Sequence, residues 1–143
     1  PPLNYARARR LALRRPDLMI HLNGGLVDAT TIMTELSDFA GVMLGRAAYK
    51  TPMLLSDLNL SIFGRAGKTR LEAAMAMADY ADMMEDTPLH AITRHMLGLY
   101  ASRKGARYWR RMLGEKARQD KRGGTLIRET ASACEEISTS WAA

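Results

Sequence analysis

The sequence predicts an α/β segment followed by an all-α one, and three observations lead there. Two short apolar runs, Asp17 to Leu22 and Gly41 to Leu44, each halt at a glycine turn, as buried parallel strands do. A helical pattern from Asp28 to Leu36 lies between them, so strand, turn, helix, strand, turn follow in the rhythm of βαβ units. After Pro52 the apolar spacing is helical throughout.

In order along the chain, Leu3 to Arg15 is expected as a helix carrying Leu3, Ala6, Leu11 and Leu13 among many arginines, and Pro16 ends it. The first strand stops at Asn23-Gly24-Gly25. Asp28 stands where an N-cap of the next helix belongs, because its carboxylate can accept from orphan backbone N–H groups. The second strand stops at Gly45-Arg46. Leu54 to Phe63 continues as a helix, and Gly64 to Gly67 forms a linker. Leu71, Met75, Ala78 and Met83 then mark one helix, and Leu89, Ile92, His95, Met96 and Leu99 a second. Tyr108 to Ala117 and Leu126 to Ile137 mark two more, separated by Gly123-Gly124. The expected division is residues 1–65 and 66–143, with no internal repeat.

Two strands leave both sheet edges with unpaired backbone groups, which natural proteins avoid by adding neighbours. The first segment is therefore expected to be incomplete. Pro1-Pro2-Leu3, with no preceding Met, fits a fragment whose beginning lies elsewhere.

With 47% apolar and 25% charged residues, the composition is that of a folded domain rather than a disordered chain. The longest apolar runs are far too short to span a bilayer, and without a basic-then-apolar stretch in its first residues secretion is not expected. A single cysteine, Cys134, excludes an internal disulfide and fits a reducing cytoplasm. It has no cationic neighbour in the sequence and is expected as a packing residue. Net charge is +6 but unevenly spread. Arg103 to Arg128 holds ten Lys or Arg against two acids, whereas Glu72 to Asp86 holds five acids and no base. The basic end is thus the candidate for a polyanionic partner, a solvated helix face being the alternative.

Asn23-Gly24-Gly25 follows one strand, and Gly45-Arg46 follows the next about 22 residues on. Glycines at a strand-to-helix turn let backbone N–H groups approach an anion, the helix behind adds its dipole, and an arginine can hold phosphate oxygens bidentately. In a (β/α)8 barrel the turns after the last two strands form the common phosphate site. On residues alone, phosphate binding and ordinary structural turns both remain open.

These residues also carry a family likeness. Ile20-His21-Leu22-Asn23-Gly24-Gly25 and Gly41-Val42-Met43-Leu44-Gly45-Arg46-Ala47-Ala48-Tyr49 resemble the last two strands of the TIM barrel in flavin-dependent tRNA-dihydrouridine synthases. The runs His90 to Tyr100 and Gly105 to Leu113 are similar to the A-type branch, which modifies positions 20 and 20a of the tRNA D-loop, and Pro1 to Tyr5 resembles the segment after its sixth strand. The likeness covers residues 1–113, with its motifs in the family's order. It implies the last strands of an incomplete barrel followed by a C-terminal helical bundle. It also implies an FMN enzyme that reduces uridine in tRNA with NADPH as hydride source, and Asn23, Gly24, Gly25, Gly45 and Arg46 holding the FMN phosphate. The family's catalytic cysteine loop and its flavin-contacting lysine and histidine belong to earlier strands. No catalytic residue is therefore expected here, and Cys134 does not take that role. The N-terminal barrel portion of the same enzyme is the expected partner.

Arg107, Arg110 and Arg111 fall at i, i+3 and i+4 and share one helix face. Arginines near aromatic rings suit RNA, since guanidinium groups pair with phosphates and stack on bases. An enzyme that works on one base must also draw it out of the folded RNA, so it needs purchase on the surrounding backbone. Arg94, Lys104, Arg107, Arg110 and Arg111 are the expected tRNA-binding residues. Trp109 lies off their face and is expected to pack inward, stacking on a splayed base being the alternative. His90 and His95, five apart, do not share a face as a metal pair would. His95 is expected to pack or contact RNA, and His21 to be a packed neutral imidazole. The ten methionines are expected mostly in helical cores. Two other readings stay open: a non-catalytic, basic RNA-binding helical module, and another FMN or phosphosugar barrel.

Overall fold

The computed structural model describes residues 2–84, 86–120 and 123–140. Lys121 and Arg122 of the basic run, Glu85 of the acidic run and Pro1 of the first motif lie outside them. Helix α1 is Tyr5–Arg14, with the Asn4 side chain accepting from Arg7 N at its start. Strands β1 (His21–Asn23) and β2 (Gly41–Met43) pair in parallel, joined by helix α2 (Ala29–Leu36). Asp28 caps α2 as its position suggested, accepting from Thr31 N at 2.8 Å. Helices α3 (Arg46–Lys50) and α4 (Met53–Phe63) follow, and Gly64 closes α4 in the left-handed conformation. Then come α5 (Arg70–Met83), α6 (Leu89–Thr93), α7 (Ala106–Gly114), a 3-10 turn (Lys116–Arg118) and α8 (Gly124–Thr139).

Buried side chains gather in two clusters. Leu22, Leu26, Ile32, Phe39, Leu54 and Leu58 form one, between the strand pair and its helices. The larger is built from α5 to α8 around Trp109, Leu113, Leu126 and Ile127.

Several expectations are corrected. In α1 the packed face is Tyr5, Ala8 and Ala12, whereas Leu3, Leu11 and Leu13 are exposed, Leu13 at 81%. Arginine decides that orientation. Arg9 turns inward to pair with buried Glu35 and, at 2.7 Å, with Asp38, which sets which side of the helix faces α2. The first strand begins four residues later than expected, because a turn at Pro16–Leu18 precedes it, and Met19 is 82% exposed. His21 is exposed rather than packed, its ring lying against Gly41, where a β-carbon would come within 3.3 Å of Nδ1.

Met19, Met33, Met43, Met83 and Met84 are exposed as well, so methionine content overstated the core. The buried face of α5 is instead Ala74, Ala78 and Ala81. Small residues there let α8 approach so closely that a β-carbon on Gly124 would overlap the Ala78 carbonyl.

The helix expected to run to Leu99 is regular only to Thr93. Beyond it, i→i+3 bonds such as Met96 N to Thr93 O (2.9 Å) and Leu99 N to Met96 O (3.0 Å) replace the α ladder. Tertiary partners explain the break. The Trp109 indole donates to the Met96 carbonyl at 2.8 Å, and the Thr93 hydroxyl donates to the Leu113 carbonyl at 2.8 Å.

Candidate functional site

The parallel register sets the geometry of the first site. Asn23 lies opposite Met43, so both strands end at the same edge and the turns that follow leave it side by side. Asn23, Gly24, Gly25, Gly45 and Arg46 accordingly line a single pocket of about 590 Å³. Lys50 lines it too, a residue that the turn motifs did not single out. The signal was present, because i and i+4 share a helix face and Lys50 stands four residues after Arg46.

Gly24 and Gly25 have φ of +112° and +68°, values that L side chains rarely adopt. Tyr5 fixes the turn by donating its hydroxyl to the Gly24 carbonyl at 2.6 Å, and the Leu3 side chain lies where a β-carbon at Gly24 would fall, 2.9 Å away. Nothing in the sequence signalled this cover over the turn. Gly45 differs, with φ of −103° and only Met43 Sδ at 4.0 Å from an added β-carbon. Its missing side chain leaves space on the pocket itself.

The start of α2 is capped from within the chain. The Asp28 carboxylate already accepts from Thr31 N and from the Thr31 hydroxyl at 2.9 Å. The start of α3 has no side-chain cap, so backbone donors after Gly45 are left for another acceptor. Three glycines, uncapped N–H groups, Arg46 and Lys50 thus make a pocket suited to a phosphate monoester.

The helical end places its cations outward. On α7, Arg107, Arg110 and Arg111 are exposed, while Trp109 and Leu113 are fully buried on the opposite side. Trp109 therefore packs and cannot stack on a base, its ring centroid lying 4.6 Å from that of Tyr100. The Arg111 guanidinium sits 5.8 Å above the Tyr108 ring, which holds it at the surface. Lys104 is exposed in the turn before α7, and Arg94 is exposed just after α6, its Nε–H directed at the His90 carbonyl at 3.4 Å. His95 is exposed too, with Nδ1 at 2.9 Å from the Tyr49 hydroxyl on α3. Cys134 is fully buried beside Gly105, and burial pushes its thiol up to about 11.

These features define a parallel βαβ unit with a cationic glycine-turn pocket, extended by a basic helical bundle. The model of the dihydrouridine synthase (Dus) family matches residues 1–138, and the chain belongs to that family. It is 36% identical over 133 residues to the tRNA-dihydrouridine(20/20a) synthase of Xanthomonas campestris pv. campestris, covering 92% of this chain and 40% of the relative. It is 38% identical over 121 residues to the synthase of the same name from Escherichia coli K12, covering 82% and 35%. The Pseudomonas putida synthase is 41% identical over 117 residues, covering 79% and 35%. The chain spans about two-fifths of the length of the relatives it matches. Among the described residues no helix is long and apolar enough to cross a membrane.

Proposed function

We propose that this chain supplies the flavin-phosphate cradle and the tRNA-binding helical end of a tRNA-dihydrouridine synthase acting at positions 20 and 20a. The convergence of the Asn23 and Arg46 turns on one pocket carries this reading. Gly24, Gly25 and Gly45 present backbone N–H groups to the FMN phosphate, Arg46 pairs with its oxygens, and Lys50 adds a second positive charge. When bound, FMN reduced by NADPH supplies the hydride that saturates the uridine C5=C6 bond. Arg94, Lys104, Arg107, Arg110 and Arg111 hold the tRNA backbone while the target base leaves its stack.

The remaining barrel strands, with the family's protonating cysteine, belong to the portion of the enzyme that the matched relatives have in addition. Exposed Val27, Met43 and Leu55 in the α/β segment, and a sheet of two strands among the described residues, support a further neighbour. Without that portion the 143 residues are expected to be inactive, whereas the whole enzyme works in the reducing cytoplasm.

The flavin content of the purified enzyme containing this chain tests the reading. FMN that copurifies with the wild type and is lost from Arg46→Gln supports it. An enzyme that holds no FMN and, given FMN and NADPH, reduces no tRNA uridine removes it. Tight FMN binding by the 143 residues unaided would overturn the two-part cradle.

A further inference from the structure

At the C-terminal end of α7, three more basic groups from separate elements meet. His90 of α6, Arg94 of the following turn and Arg118 of the 3-10 turn line a pocket of about 400 Å³, with Leu97, Leu113 and Gly114 completing its wall. Among the described residues no carboxylate lines it, and neither Arg94 nor Arg118 forms an ion pair. That contrasts with Arg9, Arg15 and Arg128, each paired with Asp or Glu. Two guanidinium groups and an imidazole, converging on a concave surface without an acid, are matched by an anion that presents several oxygens.

The pocket is also tied to the cradle. Arg94 immediately precedes His95, whose Nδ1 lies 2.9 Å from the hydroxyl of Tyr49 on α3, the helix that brings Arg46 and Lys50 to the other pocket. An anion held by Arg94 is thus anchored one residue from a side-chain contact with the cradle helix. A nucleic-acid backbone that must deliver one base to a fixed cofactor needs such an anchor.

We propose that His90, Arg94 and Arg118 form a phosphodiester subsite for the tRNA backbone, with His90 and Arg118 as binding residues alongside the arginines of α7. This rests on the tRNA reading above and adds the place where one strand is gripped. The partly buried Leu97 side chain faces the sugar edge of that strand, and the three polar groups face its phosphate.

The test uses tRNA and inorganic phosphate as separate probes of the purified enzyme containing this chain. Binding of tRNA is measured across a series of salt concentrations for wild type, His90→Gln, Arg118→Gln and Arg65→Gln. Arg65→Gln removes one exposed linker charge as a control. Arg118→Gln is expected to weaken tRNA roughly 3- to 10-fold and to lower the slope of log affinity against log salt by about 0.7 to 0.9. His90→Gln is expected to weaken binding with less change in slope, and Arg65→Gln to leave both unchanged. Thermal melts that coincide with wild type show that the variants fold. If wild type binds tRNA and Arg118→Gln matches it in affinity and slope, the subsite is overturned while the tRNA reading stands. If wild type binds no tRNA, that reading falls and the subsite with it. Binding of inorganic phosphate that depends on Arg118, without tRNA binding, would assign the pocket to a small free anion and overturn the proposal.

Discussion

The carbonyl oxygen of Lys50 occupies the space in which Gly98 would carry a β-carbon, and the Tyr49 carbonyl lies 3.1 Å from the same point. The end of α3 therefore rests directly on the backbone of the turn run that follows α6. A glycine is required there by this close approach, not by its own backbone angles. Cradle helix and helical bundle are in this way one contact.

Gly98→Ala is expected to push the two apart. Overpacking a backbone contact costs about 1–3 kcal/mol, so urea unfolding should show a lower midpoint with an unchanged slope. Tyr49→Phe, which loses only an exposed hydrogen bond, should cost less than about 1 kcal/mol. Equal midpoints for Gly98→Ala and wild type would mean that the two segments are not pressed together.

The two glycine turns should respond differently to alanine. At Gly25 the added β-carbon would meet Leu3 Cδ1 at 2.7 Å and the Tyr5 hydroxyl at 2.8 Å, in a backbone with φ of +68°. Gly25→Ala is therefore expected to destabilise the fold by about 1–2 kcal/mol. Gly45→Ala has room and should leave the melting temperature within error while weakening FMN retention. A loss of stability equal to that of Gly25→Ala would contradict the open space beside Gly45.

Lys50 and Arg46 line one pocket, four residues apart on one short helix. Lys50→Gln is expected to weaken FMN binding by about tenfold, as removal of one charge-assisted contact does. Arg46→Gln should cost more, because a planar guanidinium offers two donors to one phosphate. Fluorescence titration with FMN on the purified enzyme orders the two, and an unchanged constant for Lys50→Gln would place its ammonium outside the site.

Acid sensitivity should centre on the joint between α5 and α8. The Arg128 guanidinium, joined by the Gly124 N–H, holds the Asp82 carboxyl below its ordinary value near 3.8. A folded pKa lower than the unfolded one gives stability that is fully present above about pH 3.8 and is lost as pH falls through the lower folded value. Asp82→Asn should thus be less stable than wild type at neutral pH, with the gap closing as the solution becomes more acidic than that. A gap that stays constant with pH would show that the carboxylate charge is not what holds the joint.

Cys134 should resist thiol reagents at neutral pH until the protein unfolds, since its thiol titrates at about 11 and is fully buried. Rapid labelling of the native protein would contradict that burial.

What was legible in the sequence was local. Glycines that end apolar runs, an Asp at an N-cap and arginines spaced three and four apart act through neighbours a few residues away. Their consequences therefore show in the linear pattern. Asp28, the parallel order of the strands and the outward face of α7 all emerged as expected. So did the meeting of the Asn23 and Arg46 turns at one edge, because parallel strands in a βαβ unit allow few other arrangements.

Tertiary structure decided whatever depends on partners distant in the chain. Arg9 finding Glu35 and Asp38 turned α1 so that its leucines face outward. Trp109 reaching the Met96 carbonyl ended a helix whose periodicity ran on to Leu99. Tyr5 and Leu3 closing over Gly24, and His90 and Arg118 meeting at Arg94, join residues whose separations carry no repeating signal. Period and turn chemistry fix which residues can form each element. Which faces meet is settled by packing and by pairing of buried polar groups, and those energies are set only once the elements are assembled.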